Sequence, residues 1–266
     1  LTWFRGSHVS GIDTFETFRA MPVWRWFSPI QEIAGGSDFV EDIQSKDRYI
    51  FVLMPNVTNT SLFWFFGLHG RWKWIPVRLS YMMPQIFFYV PGLRELLLLS
   101  GACAATTPGR SELQRVLEMT ELGKNVAFAA SGMRDALQLH SEDPLEIKSP
   151  PLMLFQQAQA RVYHVVPCVC HGERERRYVF LKDQRGILRA IQEWFIGKIG
   201  YPFPLIYFAR SGEKIELSVG PPVSPFIHKS AEEMQRTFLD KVKKMSSNGF
   251  EKESAEITSV DFNMME

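Results

Sequence analysis

This chain of 266 residues contains few cysteines and has almost no net charge. It has 3 Cys, and its 30 Lys and Arg residues are balanced by 29 Asp and Glu. An odd number of cysteines, two of them in a Cys168-x-Cys170 pair with no second pair, argues against a disulfide framework and a zinc site. The formal net charge of +1 provides no general field to attract nucleic acid. We therefore expect no metal, no cofactor and no nucleic-acid partner, and a buried strand around the two cysteines.

Long apolar segments are missing as well. The longest stretches without a charged side chain run from Arg48 to Arg71 and from Arg78 to Arg94, and prolines interrupt both. Neither stretch predicts a membrane-spanning helix. The chain is nevertheless 45% hydrophobic and contains 21 Phe, which is typical of a globular protein with a large core or an apolar surface.

Short apolar runs alternate with amphipathic patterns along the chain, and this alternation predicts an α/β fold. We expect the runs to be strands of one sheet: Tyr49–Leu53, Asn125–Ala130, Val162–Val166 and Leu205–Phe208. Helices are predicted after the capping boxes Ser111-x-x-Gln114 and Ser230-x-x-Glu233, and between Gly186 and Gly197. Without a repeat or a linker, residues 1–266 are predicted to form a single domain, with a polar tail over 249–266.

Several aromatic segments are candidates for lipid contact, with packing in the core as the alternative for each. Basic residues alternate with tryptophan from Arg71 to Trp74, a pattern that suits lipid headgroups, CoA phosphates or a protein partner. The lipid-contact candidates are Phe63, Trp64, Phe65, Phe66, Trp72, Trp74, Phe87 and Phe88.

The order of several short segments resembles the diacylglycerol and monoacylglycerol acyltransferase family over about residues 23–244. The segments that carry the resemblance are Val23–Phe27, Arg48–Phe51, Pro91–Leu96, Gly123–Asp135, Val166–Pro167 and Val219–Pro222. The resemblance implies a glycerolipid acyltransferase-like α/β fold, a mixed sheet flanked by helices. It also implies acyl-CoA-dependent acylation of a hydroxyl and an intracellular membrane location at the endoplasmic reticulum, with a mitochondrial membrane complex left open.

One departure from the family concerns its catalytic motif. The family continues the strand corresponding to Tyr49–Leu53 with His-Pro-His-Gly, whose imidazole acts as general base on the acceptor hydroxyl. Here the four positions are Met54, Pro55, Asn56 and Val57. Neither a thioether nor a carboxamide takes up a proton near neutral pH, and loss of a general base typically lowers the rate by about 10²–10⁴.

Two further family segments have also changed. After a strand, where the family has two glycines, two alanines and a glutamate, this chain keeps Gly132 and the carboxylate of Asp135. Lys148–Pro151 occupies the region where the family places an arginine and a glycine before its next helix. Three functional segments have drifted while the packing segments persist, so we interpret the chain as a fold that has lost its chemistry.

Other histidines offer alternative bases. His8 and Asp13 match the His-x4-Asp pattern of the wider glycerolipid acyltransferases, but they lie far upstream of the strand that ends in the family motif. His69, in Leu68-His69-Gly70, has no counterpart in the resemblance. We therefore assign no catalytic residue.

The sequence thus predicts a catalytically inactive acyltransferase-like protein, a structural or interaction subunit of a membrane-bound complex. Its expected partners are other proteins and a membrane surface, with a bound lipid or acyl-CoA left open. Two alternatives remain: an active acyl-CoA:acylglycerol O-acyltransferase with an unrecognised base, and a lipid or acyl-CoA binding protein.

Overall fold

A computed structural model describes nine ranges of the chain: residues 30–32, 47–54, 79–105, 111–130, 149–171, 177–180, 187–199, 206–209 and 215–249. The strands within these ranges are β1 (Ile30–Glu32), β2 (Tyr49–Met54), β3 (Leu79–Met83), β4 (Ala102–Ala104), β5 (Asn125–Ala129), β6 (His164–His171), β7 (Arg177–Phe180), β8 (Ile206–Ala209) and β9 (Ile215–Val219). The helices are α1 (Leu93–Leu99), α2 (Glu112–Glu121), α3 (Leu152–Arg161), α4 (Ile187–Ile199) and α5 (Ala231–Gly249), with a short 3-10 helix at Gln85–Tyr89.

Seven strands form one mixed sheet in the order β1-β9-β6-β2-β5-β3-β4. The central strand β2 pairs in parallel with both β5 and β6, while β9 pairs antiparallel to β6. The predicted strand at Tyr49–Leu53 is confirmed, and all six residues of β2 are buried. A strand hydrogen-bonded on both sides and covered on both faces needs a continuous apolar run, which explains the absence of polar alternation.

The pleat of β2 divides the core into two layers. Alternate residues beginning with Tyr49 contact one cluster, against which the 3-10 helix and α1 pack. The other set, which includes Met54, joins a cluster with buried side chains from α2, α3 and α5. In this second layer the rings of Phe155 and Phe238 meet edge to face, with centroids 5.5 Å apart.

Two strand predictions need correction. The expectation that Leu205–Phe208 joins the same sheet was wrong, because β8 pairs with β7 in a separate antiparallel sheet. The predicted strand at Val162 was also wrong at its start: α3 extends to Arg161, Val162 adopts a left-handed conformation with φ 57°, and β6 begins at His164. An apolar run reveals burial but neither the pairing partner nor the residue that ends a helix.

The helix predictions largely hold. Both arms of the box at Ser111 are present, with hydrogen bonds of 3.3 and 2.9 Å to Gln114, and the Ser230 hydroxyl accepts from the Glu233 N–H at 3.2 Å. Gly197 does not end its helix, since α4 continues to Ile199. The tail beyond Gly249 lies outside the described residues, and none of the described helices is both long and apolar enough to cross a bilayer.

Gly220, in one of the segments that carry the family resemblance, sits at a close approach of three elements. A Cβ added there would lie 2.8 Å from the Pro167 ring in β6 and 2.5 Å from the Met245 sulfur in α5. The Met245 side chain can move, but the proline ring is fixed in the sheet. Glycine at this position therefore lets β9, β6 and α5 pack together.

We expect Gly220→Ala to lower the free energy of unfolding by about 1–3 kcal/mol through overpacking. Urea denaturation measures the change. The matched control is Gly197→Ala in α4, where an added Cβ would meet nothing within 4 Å and helix propensity should raise stability by up to about 1 kcal/mol. Equal effects of the two substitutions would contradict the packing role of Gly220.

Val162 should be a source of strain, because a β-branched residue in the left-handed region costs about 1–2 kcal/mol. Val162→Gly relieves that strain but adds freedom to the unfolded chain. We expect a net gain of about 0.5–1 kcal/mol in the free energy of unfolding, and a smaller gain for Val162→Ala, which keeps a Cβ. The same denaturation measurement tests this, and a loss of stability in Val162→Gly would contradict it.

Candidate functional site

The carboxyl ends of β2 and β5 lie side by side at one edge of the sheet. Leu53 is in register with Ala129, and the Ala130 N–H donates to the Leu53 carbonyl at 3.3 Å. The chain therefore leaves these two strands at adjacent points, just before segments 55–57 and 131–135. In open α/β sheets, ligands bind outside the carboxyl ends of the strands.

The third segment that has drifted from the family begins at the same edge. Ser149 and Pro150 precede α3, and α3 returns the chain to the opposite edge, where His164 pairs with Tyr49 at the start of β2. Gln235 of α5 holds this segment by donating to the Ser149 hydroxyl at 3.1 Å and to the Pro150 carbonyl at 2.7 Å. The described residues that adjoin the three segments identified by the resemblance thus lie at the carboxyl edge.

Met54 is fully buried at the end of β2, with 0% of its surface exposed. It is in register with Val169 of β6 and belongs to the apolar cluster beneath α2, α3 and α5. Its thioether can neither accept nor supply a proton. The remaining motif positions Pro55, Asn56 and Val57 lie outside the described residues.

Glu112 is a titratable group at this edge that sequence reasoning missed. The Ala129 N–H donates to its carboxylate, and burial raises its pKa from 4.5 to about 8. Below that pH the carboxyl holds its proton and cannot accept another from a hydroxyl. In the sequence Glu112 is an ordinary acidic residue in the first turn of a helix; only the packing of α2 against the end of β5 makes it unusual.

Two described histidines occupy opposite ends of β6. His171 is its last residue, in register with Glu216 of β9 and two positions beyond Val169. His164 is its first residue, with its ring 5.4 Å from the Tyr49 ring. Burial lowers the pKa of His164, an effect that Asp47 partly opposes. His164 is thus a neutral, packed residue at the edge away from the candidate site.

The buried strand predicted around Cys168 and Cys170 is confirmed. Both are free cysteines buried in β6, where they face the cluster on the side of α1. Burial raises the pKa of the Cys168 thiol well above its usual range. This thiol is therefore protonated and unsuited to act as a nucleophile.

The described lipid-contact candidates pack against the core. Phe87 and Phe88 lie in the 3-10 helix, partly buried beside Leu79 and Leu93, which favours the alternative of core packing for this pair. The other candidates lie outside the described residues, as do the alternative bases: Phe63, Trp64, Phe65, Phe66, Trp72, Trp74, His8, Asp13 and His69.

Comparisons with known proteins agree with this architecture. The crystal structure of the 1-acyl-sn-glycerophosphate (LPA) acyltransferase PlsC from Thermotoga maritima superimposes with a TM-score of 0.52 at 14% identity, covering 91% of this chain and 81% of that chain. The fold is therefore that of an acyltransferase, and the predicted mixed sheet flanked by helices is confirmed. No protein of curated function matches the sequence.

Family membership follows from the sequence itself. The profile of the diacylglycerol acyltransferase family matches residues 5–218, which is well over half of the chain. This protein belongs to the diacylglycerol acyltransferase family, and the resemblance drawn from its short segments is confirmed.

We expect the ionisation of Glu112 to destabilise the fold as the pH rises. Its pKa is about 8 when folded, against 4.5 as the ordinary value, so stability present below pH 4.5 is lost progressively up to pH 8. Glu112→Gln keeps an acceptor for the Ala129 N–H and avoids the charge. Because Glu112 is only partly buried, we expect the variant to be more stable by about 1–3 kcal/mol above pH 8.

Urea denaturation of Glu112→Gln and the unsubstituted protein at pH values on both sides of this window measures the difference, which should vanish below pH 4.5. The matched control is Glu121→Gln at the exposed end of α2, for which we expect a change within about 0.5 kcal/mol at every pH. A pH-independent effect of Glu112→Gln would contradict the burial of the charge.

Proposed function

We propose that this chain is a non-catalytic member of the diacylglycerol acyltransferase family, which serves as a structural or interaction subunit. The observation that carries the proposal is Met54. At the place where the family has a histidine, a fully buried thioether ends the central strand. Acyl transfer from a thioester to an alcohol needs a proton acceptor at that alcohol, and sulfur in this bonding state supplies none.

The surroundings of Met54 support the proposal. A histidine at this depth would need hydrogen-bond partners, because an unpaired buried polar group costs free energy. The neighbours of Met54 are instead apolar, with Val52 and Val169 in the same cluster. The ionisable carboxyl described nearby, that of Glu112, is bonded to the Ala129 N–H and protonated below about pH 8.

The proposed role as a subunit is supported by the parts of the fold that do not depend on a catalytic base. The sheet, both core layers and the Gly220 approach persist, so the chain still presents an ordered surface. The family membership supports a membrane-associated intracellular location, at the endoplasmic reticulum or in a mitochondrial membrane complex. Protein partners in such an assembly are the proposed ligands, with a bound lipid or acyl-CoA as a further candidate.

A second candidate function is an active acyl-CoA:acylglycerol O-acyltransferase with a different base. The observation that favours it is that a histidine, His171, ends β6 at the carboxyl edge, in backbone register with Glu216 of β9. Histidine is the side chain that most often acts as a general base. His171 distinguishes the two functions experimentally.

We expect purified protein, incubated with labelled acyl-CoA and diacylglycerol, to form no triacylglycerol above a protein-free control. Turnover that disappears in His171→Ala would overturn the proposal and establish the second function. Turnover that disappears only in His8→Ala or His69→Ala would also overturn it, and would assign the base to a segment outside the described residues. The control Cys168→Ser leaves every candidate base in place.

Native purification distinguishes a subunit of a protein complex from a lipid or acyl-CoA binding protein, because it identifies the molecules bound to the chain. A stoichiometric protein complex from native tissue supports the subunit role. Lipid or acyl-CoA that co-purifies in equimolar amount, identified by mass spectrometry, favours a binding protein instead. Either result is independent of the turnover assay, so loss of catalysis and the kind of partner are tested separately.

A further inference from the structure

One side of helix α4 exposes large apolar side chains to water. Ile187, Ile191 and Trp194 have exposed fractions of 81%, 41% and 58%, and their spacing places them on the same side of the helix. Gln192 points the other way and is fully buried. The helix therefore packs against the chain through one side and leaves an apolar side in water.

Small residues alternate with the large ones along the exposed side. Ala190 and Gly197 are both exposed, and a Cβ added to Gly197 would meet nothing within 4 Å. Ile187, Ala190, Trp194 and Gly197 follow one another at intervals of three, four and three residues, which is the spacing of the contact positions in paired helices. We call these four residues and Ile191 the α4 face.

A second copy of α4 that runs antiparallel matches this face layer by layer. With a two-fold axis at the level of Gln192, Ile187 meets the partner's Gly197 and Trp194 meets the partner's Ala190. Symmetry repeats both contacts, so every layer pairs a large side chain with a small one. Small residues let two helices approach closely, and the large side chains fill the space above them. The same surface thus provides both halves of the interface.

Charged side chains beside the α4 face are compatible with this pairing. The Arg189 guanidinium lies 2.8 Å from the Glu193 carboxylate of the same helix. In the antiparallel pair each copy brings one such ion pair close to the two-fold axis. Each pair is neutral and can exchange partners across the axis. Lys198 lies beyond the last contact position and is exposed, so its charge remains in water.

Trp194 has the properties of an interface anchor. Its ring meets the Phe195 ring edge to face with centroids 4.9 Å apart, and this contact fixes its orientation. Tryptophan is enriched among the residues that dominate binding energy, and a side chain already held in place loses little entropy on association. A helix that lies on lipid presents bulky apolar residues along its buried side, whereas the small residues Ala190 and Gly197 favour a second helix.

We propose that two copies of this chain form a dimer in which their α4 faces pack antiparallel about a two-fold axis. The contact is small, because one short helix provides less than the roughly 800 Å² per partner of a standard interface. We therefore expect a reversible dimer with a dissociation constant in the micromolar range. The inference rests on α4 alone and holds whether or not the chain transfers acyl groups.

Sedimentation equilibrium of the full chain over a range of concentrations tests the dimer. Trp194→Ala should raise the dissociation constant about 30-fold or more, because it removes the anchor from both copies. Gly197→Leu should raise it about tenfold or more, because the added side chain occupies the place of the partner's Ile187. The matched control Phe226→Ala changes an aromatic residue that is 74% exposed in the turn before α5 and should leave the constant unchanged.

Crosslinking tests the antiparallel orientation. We expect a mixture of Ile187→Cys and Gly197→Cys chains, treated with diamide as oxidant, to form a disulfide between the two variants, because these positions face each other. Peptide mapping identifies the joined residues. Neither variant alone should crosslink through its new cysteine, since the two copies of each position lie about 15 Å apart along the helix axis.

A chain that stays monomeric at millimolar concentration would overturn the proposal, as would a dimer that Trp194→Ala and Gly197→Leu leave intact. Crosslinks in Ile187→Cys alone would contradict the antiparallel arrangement. Vesicle binding or a complex with a different protein, lost in Trp194→Ala while the chain is monomeric, would assign the α4 face to that partner instead. Gly197→Leu removes no side-chain contact of the single chain, so its effect reports the interface and not the stability of the fold.

Discussion

The burial of β2 on both faces is the constraint on which the rest of the structure depends. Each residue from Tyr49 to Met54 must suit an apolar layer, and the two neighbouring strands take their register from it. At the entrance of the strand, the Tyr49 N–H donates to the Asn125 side chain at 2.7 Å. A histidine at the exit would be a polar group in a place built for apolar side chains, and would need partners from the surrounding loops. Methionine at that exit needs none.

The dependence of a buried polar group on partners from the surrounding loops gives a physical reason why three separate segments differ from the family together. Segments 55–57 and 131–135 follow strands whose described ends lie at the carboxyl edge, and Ser149 and Pro150 precede α3 at the same edge. A catalytic group in general requires polar partners and close backbone approaches from the segments around it. Under the proposed function Met54 stands in place of that group and those requirements end, while the packing at Gly220 and in the core still constrains the sequence. An intact core beside an altered catalytic motif is therefore the pattern that this proposal predicts.

The sequence predicted those elements that are determined by a pattern within a few neighbouring residues. The apolar run of β2 and the capping box at Ser111 were read correctly because burial on both faces and a side-chain cap each leave a pattern within a few residues. The separate pairing of β8 and the raised pKa of Glu112 depend on contacts between distant parts of the chain. Val162 shows a conflict of local signals, because a β-branched residue predicts a strand at a position where tertiary contacts impose a helix end.

The helices α2 and α3 connect the two edges of the sheet and give each edge a different character. Glu112 in the first turn of α2 and Ser149 just before α3 lie at the candidate site, and Leu122 and Val162, which follow the two helices, lie exposed at the opposite edge. Under the proposed function the carboxyl edge has lost its chemistry, whereas the sheet and the helices that join it to the opposite edge keep their packing. A surface held in place by an intact core is what contact with other subunits requires.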